Sequence, residues 1–277
     1  MAADPTLPTC AVHHDRETRL HCPQCARAVC DVCLQQVPGA QVCPRCHAER
    51  GPVDTTRRAQ RQASAPVTYG LLIAYVAVYL LGEVTGGTAS PITVAGAQIN
   101  DAVVAGQWWR VLTATMLHAG ITHLLFNGYA LYLLGPQLER GVGSTGFAAL
   151  YLASGLAGGV AFLVTAPGQI AVGASGAIFG LFGAWFAASW ANRHTPQGRA
   201  GLSQFGVLLL INLALPLFIR GIAWQAHLGG LVVGLVTGLA WARLRRSSTA
   251  ASPATLARAV VPGIMAVALL AALLWYT

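Results

Sequence analysis

The sequence predicts an all-α, polytopic membrane protein of seven transmembrane helices, preceded by a small zinc-binding domain. Three observations predict it. Of the 277 residues, 55% are apolar and only 9% are charged, whereas ordinary soluble chains are about a quarter charged. Mean hydropathy is +0.57, and the apolar residues gather into runs of bilayer-spanning length. The 7 cysteines all fall between Cys10 and Cys46, outside those runs. This composition excludes a disordered chain, a nucleic-acid-binding module and an ordinary soluble enzyme.

Residues 1–50 are polar and Cys-rich, and 51–66 form a Pro- and Arg-bearing linker. The opening MAADPTLPTC has neither the basic segment nor the apolar core of a signal peptide. Residues 67–242 hold six apolar runs, at 67–84, 111–135, 146–165, 175–191, 202–218 and 224–242. Residues 243–277 supply a polar loop and a seventh run, 259–275. Runs 175–191 and 202–218 are at the short end for a bilayer crossing, and Gly70 interrupts the first.

The net charge of +8 comes from 17 cationic residues, all of them arginine. Their positions speak for topology rather than for nucleic acid. With the N-terminus inside, Arg57, Arg58, Arg61, Arg140, Arg193, Arg199, Arg243, Arg245, Arg246 and Arg258 all face the cytoplasm, and only Arg110 and Arg220 face outward. An odd number of helices then puts the C-terminus outside, with Trp275 and Tyr276 as interfacial anchors. A multi-pass protein of the plasma (inner) membrane is expected.

Four ligand pairs follow one another in the N-terminal segment: Cys10-x2-His13, Cys22-x2-Cys25, Cys30-x2-Cys33 and Cys43-x2-Cys46. Each x2 spacing closes a tight knuckle that offers two ligands to one tetrahedral ion, so eight ligands make two structural Zn²⁺ sites. An odd cysteine count in a reducing compartment argues against disulfides. Few apolar residues lie between the pairs, so the metal must supply folding free energy. A cross-braced pairing, first with third and second with fourth, is the favoured arrangement; a sequential pairing stays open. The module resembles a B-box-type zinc finger without matching its spacings in full.

Polar residues inside membrane runs are expensive and therefore candidates for function. They are His118, His123 and Asn127 in the second run or its approach, Ser175 at the start of the fourth, and His227 near the start of the sixth. The predicted topology puts them at one depth, in the outer third of the bilayer. His123 and Asn127, four apart, share a helix face. A Ser with a His is a workable nucleophile–base pair without a carboxylate. Phe179, one turn after Ser175, falls where it can stack on His227. The free N–H groups at the start of the fourth helix, with Asn127 and His123, offer oxyanion donors. Gly176, Gly180 and Gly183, facing Gly230, Gly234 and Gly238, permit the close helix approach this pair requires.

Gly173-Ala174-Ser175-Gly176, Ala226-His227-x2-Gly230, His123-x3-Asn127 and Trp109-Arg110 together resemble the rhomboid intramembrane serine proteases, in order and spacing over residues 67–242. The resemblance implies a six-helix rhomboid-like bundle with one further C-terminal helix. It implies Ser175 as nucleophile, His227 as general base, and an oxyanion hole of His123, Asn127 and the Ser175 N–H. Gly173, Gly176 and Phe179 would support the site. His118 matches a buried family histidine of structural character, and Glu139-Arg140 an acidic–basic pair. Many relatives have Tyr where this chain has Phe179. Implied substrates are transmembrane proteins of the lipid bilayer. A cytoplasmic protein partner is expected of the zinc module, and no cofactor for catalysis. The alternative is an inactive rhomboid-like adaptor that binds client membrane proteins without cleaving them.

Overall fold

Knuckles rather than an apolar core organise the N-terminal unit, Met1–Gln62, one of two units into which the chain divides. The computed structural model describes residues 7–37, 40–49, 64–219, 221–247 and 254–277. Arg57, Arg58, Arg61 and Arg220, on which part of the orientation reading rests, lie outside the described residues. In the first unit, isolated bridges join Thr9 to Glu17 and His21 to Ala28. Strands β1 (Gln35–Val37) and β2 (Ala40–Val42) pair antiparallel with Gln36 opposite Gln41, and helix α1 (Pro44–Glu49) follows. The buried cluster consists of Val29, Val42 and cysteines. Ala26, just past Cys25, takes a left-handed φ of 57° to close its knuckle, and its N–H reaches the Cys22 carbonyl at 2.8 Å.

The second unit, Ala63–Thr277, is mostly helical among the described residues. Its long helices are α2 (Pro66–Val84), α6 (Ile121–Val142), α7 (Ser144–Thr165), α8 (Ser175–Ala191), α9 (Pro196–Ala214), α10 (Trp224–Ser247) and α11 (Ala254–Tyr276). Between α2 and α6 come the short helices α3 (Pro91–Gly96), α4 (Asn100–Val104) and α5 (Arg110–Thr113), with strand β3 (Gln98–Ile99) after α3. Strand β4 (Ile170–Ala171) lies between α7 and α8 and pairs antiparallel with β3, Gln98 opposite Ala171. Among the described residues, five helices are long and apolar enough to cross a membrane, and α8 is a shorter apolar helix. Leu210, Ile211, Leu217 and Phe218 at α9, and Ile264 and Val267 on α11, are exposed, as side chains facing lipid are. The protein is a multi-pass integral membrane protein.

The second apolar run departs from expectation at both ends. Its hydropathy predicts a helix over 111–135, but α6 begins at Ile121 and runs to Val142. Residues 110–116 instead form α5 and a 3-10 turn, and Leu117 is extended. Arg110, which opens α5, is buried and satisfies its guanidinium on carbonyls of the preceding segment. Its Nη1 donates to Val94 O and Ala97 O at 2.7 and 2.9 Å, and its Nε to Gln107 Oε1 at 2.6 Å. At the other end Pro136 sits inside α6 without ending it, so Glu139, beyond the end of the predicted run, is a buried helical residue. Its carboxylate accepts from Val67 N, Thr68 N, Thr68 Oγ1 and Ser144 Oγ, at 3.0, 2.8, 2.7 and 2.6 Å. It thereby caps the start of α2, where Ala65 offers no side-chain cap, and sets a negative charge on the positive helix end.

The apolar core lies where α6, α7, α8 and α10 meet, at Leu131, Phe147, Leu150, Ala177, Leu181 and Val233. Helices α8 and α10 touch backbone to backbone. A Cβ at Gly230 would stand 1.8 Å from Gly176 O, and one at Gly234 would stand 2.0 Å from Gly180 O. Only glycine admits that approach, and it carries the start of α10 to the start of α8.

Candidate active site

Ser175 is the first residue of α8, and the turn before it is made by Gly173 at φ +132°, a conformation that a side chain resists. The turn is held from three sides. Gly173 N donates to Ala114 O at 2.9 Å, β3 pairs with β4, and Asn100 N donates to Gln169 O at 3.1 Å. Asn100 Nδ2 also caps the end of α7 through Phe162 O and Ala166 O, at 3.2 and 2.7 Å. Gln98 Nε2 reaches Gly159 O at 2.8 Å. The segment preceding Ser175 is therefore clamped to the 98–114 region by hydrogen bonds made in a buried setting.

His227 comes from the first turn of α10. Its Nε2 lies 2.9 Å from Ser175 Oγ. Its ring stacks on Phe179, with centroids 4.1 Å apart and planes 10° from parallel. The Nδ1 atom is buried and has no hydrogen-bond partner among the described residues. Among the described residues no carboxylate orients this imidazole; the Phe179 face does so instead. Gly176 and Gly158 clear the way: a Cβ at Gly158 would stand 2.8 Å from Ala226 O, next to the histidine.

The third group comes from α6. His123 packs edge-on against the turn, since a Cβ at Gly173 would lie 2.6 Å from its Cε1 and 2.7 Å from its Nε2. His123 Nδ1 accepts the Ala119 N–H at 3.4 Å, which assigns the ring proton to Nε2, the atom beside Gly173. Asn127 is buried, and its Nδ2 donates to His123 O at 3.0 Å. That bond holds the α6 face and leaves the amide a second hydrogen. His118 lies 5.3 Å from His123 and 5.0 Å from Tyr75, ring centre to ring centre. Neither of its ring nitrogens has a hydrogen-bond partner among the described residues.

Sequence reasoning missed Gln98 and Asn100, and it noted Glu139 only as half of an acidic–basic pair, not as the cap of α2. Their one visible signal is an uncharged or acidic polar side chain beside apolar neighbours, which is too common to single out.

In the N-terminal unit the ligand atoms gather into two groups, Cys10–His13–Cys30–Cys33 and Cys22–Cys25–Cys43–Cys46, each within 4.8 Å throughout. The pairs thus associate first with third and second with fourth. Cys10 and Cys33 sulfurs are 3.9 Å apart, and those of Cys25 and Cys43 are 3.7 Å apart. Four thiolates at about 2.3 Å from a tetrahedral Zn²⁺ stand about 3.8 Å from one another, whereas a disulfide needs about 2.05 Å. All the cysteines are free thiols. The Cys43 N–H donates to Cys22 Sγ at 3.3 Å and holds that thiol down at about 6, favouring the thiolate a metal requires. The two clusters have the donor set and spacing of metal sites.

A serine and a histidine thus meet where two glycine-faced helices of a membrane protein touch. The chain belongs to the rhomboid family: residues 105–244, half of its length, match the Rhomboid domain. It is 37% identical over 175 residues to Rhomboid protease GluP of Bacillus subtilis (strain 168), covering 62% of this chain and 34% of GluP. It is 42% identical over 140 residues to YdcA, a second rhomboid of that organism, covering 50% of this chain and 69% of YdcA. RHOMBOID-like protein 6, mitochondrial, of Arabidopsis thaliana is 34% identical over 176 residues, covering 59% of this chain and 56% of that protein. The chain thus spans about a third of GluP's length.

Proposed function

We propose that this chain is a rhomboid serine protease that hydrolyses peptide bonds in or next to transmembrane segments through a Ser175–His227 dyad. The observation that carries the reading is the 2.9 Å Nε2–Oγ contact, made by a histidine stacked on Phe179. His227 Nε2 takes the Ser175 proton as Oγ attacks the scissile carbonyl. The carbonyl oxygen gains a negative charge, met by the Ser175 N–H at the α8 start, by His123 Nε2–H and by Asn127. When the tetrahedral adduct collapses, His227 gives its proton to the leaving amine. Water, deprotonated by the same nitrogen, then hydrolyses the acyl-enzyme. Helical substrates hide their carbonyls in hydrogen bonds and must unwind before attack.

Arginine placement supports a cytoplasmic N-terminus and an outward C-terminus. The sulfur spacings support zinc as the metal of both N-terminal clusters. The zinc module would serve as a cytoplasmic partner-binding domain.

The test is cleavage of a tagged model membrane substrate by the purified full chain, its Ser175→Ala variant and its His227→Ala variant. Loss of cleavage in both variants supports the dyad. Cleavage that persists in purified Ser175→Ala overturns it and moves the chain to the client-binding adaptor reading.

A further inference from the structure

Helix α11 (Ala254–Tyr276) lies beyond the residues that match the Rhomboid domain, 105–244. It is fixed near both ends. Arg258 O accepts the indole N–H of Trp241, from α10, at 2.8 Å, and Arg258 Nη1 donates to Gly141 O, in the last turn of α6, at 2.9 Å. Gly146, in the first turn of α7, admits Arg258 closely: a Cβ there would stand 3.3 Å from Arg258 Cβ. From that corner α11 packs along α7. In its last turn Leu273 is 2% exposed, whereas Trp275, two residues on, is 90% exposed. One side chain at this end is thus specifically buried, in a turn where helices ordinarily fray.

Leu273 is buried among groups that lead to the catalytic turn. Ala266, Leu269 and Leu273, at spacings of three and four, share a helix face. They pack into a cluster with Val103 of α4, Val111 of α5, and Leu156 and Leu163 of α7. Helices α4 and α5 have 5 and 4 residues, too few to hold their own shape, so packing must place them. Val111 carries that packing to the site. It fills the notch at Gly159, where a Cβ would stand 2.4 Å from Val111 Cγ1, and it lines the small cavity containing Ser175. Just past α5, Ala114 O receives the Gly173 N–H at 2.9 Å. A close-packed interior has few voids to absorb a shift, so displacement at the cluster reaches this bond.

We propose that Leu273 is a positioning residue: through it α11 acts as a strut that holds α4 and α5 on α7, and so fixes Gly173 and the Ser175 N–H for the oxyanion. The proposal rests on the protease reading above. The effect of Leu273 falls on the transition state, where the oxyanion forms, rather than on substrate capture.

The experiment uses the purified full chain in detergent, with two probes of Ser175. A model transmembrane substrate gives kcat and KM. A small fluorophosphonate gives the rate at which Ser175 is phosphonylated, with no substrate helix to bind. Hydrogen exchange at the Gly173 amide reports the bond to Ala114 O directly. Leu273→Ala is compared with Leu273→Met, which refills most of the volume, and with Val267→Ala, on the exposed face of α11. Rates are taken per folded molecule, below every unfolding midpoint. Leu273→Ala should lower kcat by about 10- to 100-fold and phosphonylation with it, while KM stays within about twofold. Gly173 exchange should rise in that variant and not in the others. Leu273→Met should retain most activity, and Val267→Ala all of it. Parent-like kcat per folded molecule in Leu273→Ala, unchanged Gly173 exchange, or an equal loss in Val267→Ala overturns the proposal, while Ser175-dependent cleavage by the parent still upholds the protease. Should Leu273→Ala fail to fold, Leu273→Val, which loses a single methylene, is judged by the same criteria. Absence of Ser175-dependent cleavage and phosphonylation in the parent overturns the protease reading, and this inference with it.

Discussion

Replacing Gly230 with alanine tests the claim that backbone contact between α8 and α10 sets the catalytic geometry. The added methyl would start 1.8 Å from Gly176 O. An ordinary carbon–oxygen contact begins near 3.4 Å, so the helices must part locally by roughly 1.6 Å or one must rotate. Ser175 and His227 stand one residue before Gly176 and three before Gly230, so the 2.9 Å Nε2–Oγ bond stretches with them. A displacement near 1 Å at a reacting pair reduces rate about 100-fold. Overpacking also destabilises, by about 1–3 kcal/mol. Intrinsic propensity works the other way, since alanine is better than glycine in a helix by about 1 kcal/mol. Gly70→Ala, in α2, isolates that propensity gain, because its new methyl would meet nothing within 4 Å. The assay is kcat on a model substrate, alongside unfolding in detergent. Expected are near-normal activity and a slight stability gain for Gly70→Ala, against a loss of at least about 100-fold in kcat for Gly230→Ala. If Gly230→Ala is as active and as stable as Gly70→Ala, the contact does not position the dyad.

Phe179→Ala removes the stacked face of His227 and should lower kcat by about 10- to 100-fold, whereas Phe179→Tyr should retain most activity; the two variants are compared by kcat at matched folded fraction. Two metal ions per chain are expected by elemental analysis. Cys10→Ser and Cys30→Ser should each lose the same ion, leaving Cys22, Cys25, Cys43 and Cys46 loaded; loss of different ions would refute the cross-braced pairing. Glu139→Gln turns an acceptor of four hydrogen bonds into a group with one oxygen and an opposed amine. It should lower stability by about 2 kcal/mol in a detergent unfolding titration, and an unchanged midpoint would show that Glu139 does not cap α2.

Much of the fold was legible in the chain. The hydropathy of the runs reflects a solvent constraint: a lipid-immersed backbone must bond to itself, so long apolar runs become helices. Runs 175–191 and 224–242 begin where α8 and α10 begin, because glycine turns and a sharp change in polarity mark both starts. The run 111–135 failed between Leu117 and Gly120, where the chain leaves helix although hydropathy stays high. Arg110, just before that run, is held by Val94 O and Ala97 O of the preceding segment. At the other end α6 continues past the run and through Pro136, since a helix packed on its neighbours tolerates the missing N–H.

The sequence by itself determined the residue types and their spacing: Ser175 and His227 near the starts of two apolar runs, and Cys–His knuckles with the donor set of a metal site. These are local properties, set by periodicity, composition and ligand chemistry. Only the tertiary structure decided contact. That Ser175 meets His227 at hydrogen-bond distance depends on glycines 176, 180, 230 and 234 lying at the same level on two helices. That Glu139 caps α2, and that Gln98 and Asn100 clamp the turn before Ser175, depends on groups 61 to 72 residues apart. Spacing along a chain carries no information about such meetings, because packing of the whole bundle chooses which faces touch.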